Sequence, residues 1–189
     1  AGVSGLKKTG GGGGGGGGHC SCHGGAGGSG VIKIVFIHGP VFHTIEDLQE
    51  AVNAWITDNK RALSNYGDIN TWNVSAITDM TNLFSGKTTF NSDISSWDTS
   101  NVTNMSNMFY LCSSFDQDIS SWDTGSVTNF TNMFSGCTIF NQDLSIWNTS
   151  NAVDMTGMFY NCSKFNQNIE SWDVSNVTNM SYLFTNCTA

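Results

Sequence analysis

The chain has 189 residues, a formal charge of −8 and 22 glycines, sixteen of which fall in residues 1–30, leaving a glycine-poor body long enough to bury a core. From Tyr66 onward eleven carboxylates are balanced only by Lys87 and Lys164. Such a surface repels phosphate backbones and acidic lipid headgroups, so nucleic acid is not an expected partner. The longest apolar run, Val31 to Ile37, is interrupted by Lys33 and is far shorter than the ~20 residues of a membrane-spanning helix, so no transmembrane segment is expected.

Residues 1–30 read as a glycine-rich tail or linker. Gly10 to Gly18 is an unbroken run of nine glycines, with nothing to bury and a large backbone entropy. His19, Cys20, Cys22 and His23 follow it, four ligand-type side chains in five residues, for which zinc or copper is the candidate metal. The spacing argues against a full zinc site, because Cys-X-Cys is tighter than the usual gap and no second ligand pair follows. Inter-chain disulfides are the other chemical reading. The plain alternative is a flexible tail whose thiols happen to lie close together.

Residues 31–65 read as a strand followed by a helical cap. Val31 to Ile37 is the expected strand, ended by His38-Gly39-Pro40, and its edge is free to pair with the cap or another molecule. Thr44-Ile-Glu-Asp47 is a helix start, with Thr44 as cap and acidic residues in the first turn. Leu48, Ala51, Val52, Trp55 and Ile56 then form one apolar face, which predicts an amphipathic lid over 44–65.

Residues 66–189 are a repeat. Trp72, Trp97, Trp122, Trp147 and Trp172 are 25 residues apart. Three residues before them stand Ile69, Ile94, Ile119, Leu144 and Ile169. Eight after stand Met80, Met105, Phe130, Met155 and Met180, and twelve after, Phe84, Phe109, Phe134, Phe159 and Phe184. A period in the range of 20–50 residues indicates stacked units, each unable to bury its own apolar face alone. Within a unit, Trp97 and Thr99 share one face of a short strand. Val102, Met105, Met108, Phe109 and Cys112 then follow a three-to-four-residue period, which predicts a short helix capped by Ser100 or Asn101. The expected architecture is a right-handed α/β solenoid of five coils starting near Asp68.

The phrase Trp97-Asp-Thr-Ser-Asn-Val-Thr-Asn-Met-Ser-Asn-Met-Phe109, with the Phe140-Asn-Gln-Asp-Leu144 type of segment, resembles the BspA-like leucine-rich-repeat surface proteins. The lead-in Thr44 to Gly67 is similar to the helical segment that often precedes such arrays. Phe130 in place of Met and the shifted Ala152-Val153 are departures. The resemblance implies a leucine-rich-repeat-like solenoid displayed outside the cell, on a cell or virion surface, with adhesion or protein contact as its role and no catalytic residues.

The remaining side-chain rows have a chemical and a structural reading. Cys112, Cys137, Cys162 and Cys187 recur fifteen residues after a Trp, a pattern open to redox or metal chemistry. Buried, reduced thiols acting as small apolar residues are the simpler expectation. Asp98, Asp123 and Asp173 form an outward row with Asn73 and Asn148, a candidate cation or partner surface. Asp68, Asp93, Asp118 and Asp143 form a second row. Calcium would relieve repulsion in such rows, whereas carboxylates capping their own turns need no ion. The Trp row is open to reading as a sugar platform, although its place in the apolar pattern favours packing. Nine Asn-X-Ser/Thr sequons are by-products of a turn-rich repeat unless the chain passes through a glycosylating pathway.

All four histidines precede the repeat, and no triad, zinc motif or phosphate loop is visible, so no catalysis and no bound cofactor are expected. The expected function is adhesion or structural assembly through protein contacts, with glycan binding as the alternative. The partner is the chain itself, head to tail or as a filament, or another surface protein. The array stops at Thr188-Ala189 without a polar cap, which reads either as an open end covered by the N-terminal segment of another copy or as the edge of a fragment of a longer array.

Overall fold

The computed structural model describes residues 39–189. The glycine run, the His19–His23 cluster and the expected strand at Val31 to Ile37 lie outside the described residues. Helix α1 spans Ile45–Thr57 and begins where the sequence places its cap: the Thr44 hydroxyl accepts the Asp47 amide at 3.2 Å. A second helix, α2, spans Asn59–Tyr66. The single helical lid expected over 44–65 is therefore broken. At Asp58 the backbone leaves the helical region (φ −147°, ψ 77°), and the Asp58 carboxylate accepts the Arg61 amide at 3.0 Å. An Asp in mid-helix competes for backbone amides, and here it ends one helix and starts the next.

The apolar face of α1 is buried at Leu48, Ala51, Val52 and Trp55. Trp55 meets Trp72 edge to face with ring centroids 5.9 Å apart, and its indole N–H donates to Ser92 at 2.9 Å. Gln49 donates to the Leu83 carbonyl at 3.0 Å. Val41 forms a parallel bridge with Asn73, which occupies the free edge of the first unit. Gly39 lies against the Thr71 carbonyl so closely that a β-carbon would collide with it.

From Asp68 onward the chain runs through repeated turns. The buried rows are those of the sequence pattern: Ile69, Ile94, Ile119 and Leu144, the five tryptophans, and Phe84, Phe109, Phe134 and Phe159. Met180 and Phe184 of the last unit depart from it, being 44 % exposed each. Rings one unit apart lie nearly parallel: Phe84 over Phe109 at 5.2 Å, Phe109 over Phe134 at 5.6 Å, and Phe134 over Phe159 at 5.6 Å. Within a unit Phe109 stacks on Phe115 at 4.0 Å. The result is a long buried aromatic ladder in a repeat structure.

The strand and helix expected in each unit are not seen. Among the described residues the pairing between units is a set of isolated parallel bridges, Asp79 to Asn104, Asn104 to Asn129, Asn129 to Asp154 and Asp154 to Asn179. These fall where the helix was expected to begin. The N–H groups of Met105, Asn107, Phe109 and Leu111 donate to carbonyls of the next unit at Asn129, Thr131, Met133 and Ser135, at 2.7–3.0 Å. The intervening Met108, Tyr110 and Cys112 instead close turns onto Met105, Asn107 and Phe109. Asn107 and Leu111 take φ of 54° and 60°, the left-handed value that ends a helix and completes a tight turn. Successive tight turns place inward side chains three or four residues apart, the same spacing as a helix.

The ladder makes each phenyl ring part of two interfaces. Phe109→Ala should cost about 3–5 kcal/mol of unfolding free energy, the usual loss for a large buried ring. Urea denaturation of the two proteins measures it; a loss below about 1 kcal/mol would show that the rings do not carry the core.

Candidate functional site

The outward Asp row is built from turns. Asp98 accepts the Ser100 amide at 3.1 Å and the Ser100 hydroxyl at 2.6 Å. Asp123 accepts the Gly125 amide, and Asp173 the Ser175 amide, both at 2.9 Å. Asn73 and Asn148 do the same for Ser75 and Ser150. In the second row Asp93, Asp118 and Asp143 accept from Ser95, Ser120 and Ser145. Hydrogen bonds from Ser100, Ser120, Ser145 and Ser175 hold the carboxyls of Asp98, Asp118, Asp143 and Asp173 below their ordinary value of 3.8. Among the described residues no three His, Cys, Asp or Glu side chains converge on a point where a metal ion would sit. The structure therefore supports the turn-capping role for Asp98, Asp123 and Asp173 and gives them no convergent ligand geometry. His19, Cys20, Cys22 and His23 fall outside the described residues.

The cysteine row is part of the core. Cys112, Cys137 and Cys162 are buried and free, and Cys187 is half-buried. Their Sγ–H groups point at the carbonyls of Phe84, Phe109, Phe134 and Phe159 at 2.9–3.0 Å. Burial pushes the thiols of Cys112 and Cys162 up to about 12, which removes thiolate character at neutral pH. The tryptophans are equally committed. The indole N–H of Trp97, Trp122, Trp147 and Trp172 donates to the carbonyl of Ile69, Ile94, Ile119 and Leu144, at 2.8–3.1 Å. All five indoles of the row are buried, which places them in the core and not on a sugar-binding surface.

Among the described residues a hollow of about 440 Å³ lies beside Asp98, lined by Asn70, Trp72, Asn73 and Ser96 among others, and two more lie where no candidate residue was expected. One, of about 410 Å³, is lined by Tyr110, Leu111, Asn132, Gly157, Tyr160 and Tyr182 among others. The other, of about 620 Å³, is lined by Thr88, Ser113, Thr138, Ser163 and Thr188, one residue from each unit, with Leu111, Gly136 and Asn161. Leu111 and Asn161 belong to both. The sequence signal was a departure from register. Tyr110 and Tyr160 stand where the first and third units have Ser85 and Ser135, and Leu111 stands where they have Gly86 and Gly136.

A family model described as "Mycoplasma protein of unknown function, DUF285" matches residues 41–155 and again 122–189. The chain belongs to this family. It is a repeat family of the BspA-like leucine-rich-repeat type, and the two matches overlap because its units are interchangeable in register. Comparison with curated proteins and with solved structures finds no match.

Two outcomes follow for this DUF285 chain. Cys112, Cys137 and Cys162 should resist alkylation in the native protein and react fully after denaturation without reductant, as read by intact mass; a bridged pair would contradict the core assignment. The depressed aspartates contribute stability that is present above about pH 4 and lost as pH falls through their folded values. The thermal midpoint should therefore fall on acidification below pH ~4. Replacing Asp98, Asp118, Asp143 and Asp173 together by Asn should flatten that fall, since Asn148 and Asn168 already fill equivalent places. An unchanged acid profile would show that other groups drive it.

Proposed function

We propose that the chain is a non-catalytic contact module, a leucine-rich-repeat-like solenoid displayed on a cell or virion surface for adhesion or structural assembly. One observation carries this reading: the acid side chains of the outward rows close their own turns, while the same polar groups recur at the same height on successive units. A regular array of this kind presents many equivalent contacts to an extended partner, and weak contacts repeated in register add up by avidity. The partner is a second copy of the chain or another surface protein. Exposed apolar side chains amid the polar rows, Ile139 at 45 % and Ile146 at 73 %, support protein contact.

Glycan binding is the second reading. It is favoured by the two uncharged hollows that join at Leu111 and Asn161.

Light scattering on the full chain, and on a variant lacking residues 1–37, tests assembly. Full-chain particles should grow with concentration, and the deletion should shrink them to single subunits. Beads coated with the full chain should also adhere to one another or to protein-coated surfaces, and soluble chain should compete. A monodisperse monomer whose beads adhere to nothing would overturn the contact reading.

A further inference from the structure

We infer that the two joined hollows form one groove for a neutral, linear polysaccharide. The inference rests on the second, glycan-binding reading and names its ligand class. The groove runs along the stack, because Thr88, Ser113, Thr138, Ser163 and Thr188 each come from a different unit. A ligand that fills it is extended, and the 410 Å³ hollow beside it is in the range of small-ligand pockets, roughly 300–1,000 Å³.

Charge narrows the ligand class. The chain carries −8, yet none of the residues lining either hollow is charged. A basic peptide would find no carboxylate in the lining, and an anionic polymer would find no cation in it, in a chain whose net field repels it. Lys87 and Lys164 are sequence neighbours of Thr88 and Ser163 and not lining residues. The lining combines tyrosine rings with groups that both donate and accept hydrogen bonds: the amides of Asn132 and Asn161 and the hydroxyls of Ser135 and Thr138. Sugar hydroxyls are likewise both donors and acceptors, and the C–H face of a pyranose ring lies flat on an aromatic side chain. A proline-rich peptide offers chiefly carbonyl acceptors and would leave half of these groups unmatched.

The local geometry shows what shapes the groove. Leu111 is held at φ 60° with its side chain 45 % exposed, a conformation that a branched residue enters at a cost. Its side chain lies over Gly136, where a β-carbon would come within 2.6 Å of the leucine methyl group. Gly157 admits the Asn132 side chain in the same way. The glycines thus seat Leu111 and Asn132 in the lining, and Tyr110 and Tyr160, two units or roughly 10 Å apart at strand spacing, line the same hollow.

Affinity electrophoresis and calorimetry of the full chain test the groove. The probes are a soluble β-glucan, an α-mannan and a xylan, with polygalacturonate, heparin and a proline-rich peptide for comparison. At least one neutral polymer should bind without being cleaved, and raising the salt should not weaken it. Tyr160→Ser and Tyr110→Ser, which install the residue already found at Ser85 and Ser135, should keep the urea midpoint and weaken binding roughly tenfold each. Leu63→Ser, on the exposed face of α2 and outside the groove, should bind as the parent does. No binding across the neutral panel, tighter binding of an anionic polymer or the peptide, or full affinity in both tyrosine variants would each overturn the inference. Adhesion of coated beads to protein would survive those results, whereas cleavage of a bound polymer would overturn the non-catalytic reading as well.

Discussion

Every other feature of this repeat depends on one constraint, that half of the backbone N–H groups in the turn-rich segment are satisfied by the neighbouring unit. Met105, Asn107, Phe109 and Leu111 donate onward to the next unit, and Met80, Asn82, Phe84 and Gly86 do the same one unit earlier. Buried amides must find partners, so a unit without a neighbour would leave these groups open beside an apolar core. The bonds fix the distance between units, and that distance fixes the packing. It holds Phe109 and Phe134 at 5.6 Å and lets the indole N–H of Trp97, Trp122, Trp147 and Trp172 reach a carbonyl 28 residues earlier in the chain. Thr99, Thr124 and Thr149 are buried polar residues for the same reason: their hydroxyls donate to the next unit's carbonyls at 2.8–3.0 Å.

The composition follows from this arrangement. Tight turns at every few residues need amide acceptors and left-handed backbone, which Asp, Asn, Ser and Gly supply. Asn82, Asn107 and Asn132 occupy one left-handed row, and Gly157 replaces them in the fourth unit. The acidic charge is thus a by-product of turn chemistry. Asn and Asp interchange within each row without changing the hydrogen bond, which explains how the repeat can be so acidic without a convergent cation site among the described residues. Groups so committed are poor catalysts and poor metal ligands, but they are well placed as a regular surface.

The departures from the repeat carry more functional information than the repeat itself. A residue that fits its row is accounted for by packing or turn closure. Tyr110, Leu111 and Tyr160 do not fit theirs, and Leu111 departs at the expense of backbone strain. They gather on one side of the stack, beside glycines that make room for the side chains of Leu111 and Asn132. Single substitutions scattered through an array would be unremarkable; these are grouped around one hollow, on which the proposed contact rests.

The linear sequence by itself determined the 25-residue register, the buried Ile, Trp, Phe and Cys rows, and the Thr44 cap of the first helix. Each is written as a period or as a local hydrogen bond between near neighbours, such as Thr44 with Asp47. It also showed that Asp98, Asp123 and Asp173 share one row. The folded structure decided three things that periodicity leaves open, two of them through contacts between units. The spacing of Val102, Met105, Met108 and Cys112 suits a helix and a chain of tight turns equally, and only the next unit's carbonyls, 24 residues away, chose the turns. The break at Asp58 depended on that carboxylate turning to the Arg61 amide. The groove required Tyr110 and Tyr160, 50 residues apart in sequence, to be brought to the same side by two turns of the stack. A pattern along one dimension records which residues face inward; what stands beside them is set by contacts between units, and those exist only once the array has formed.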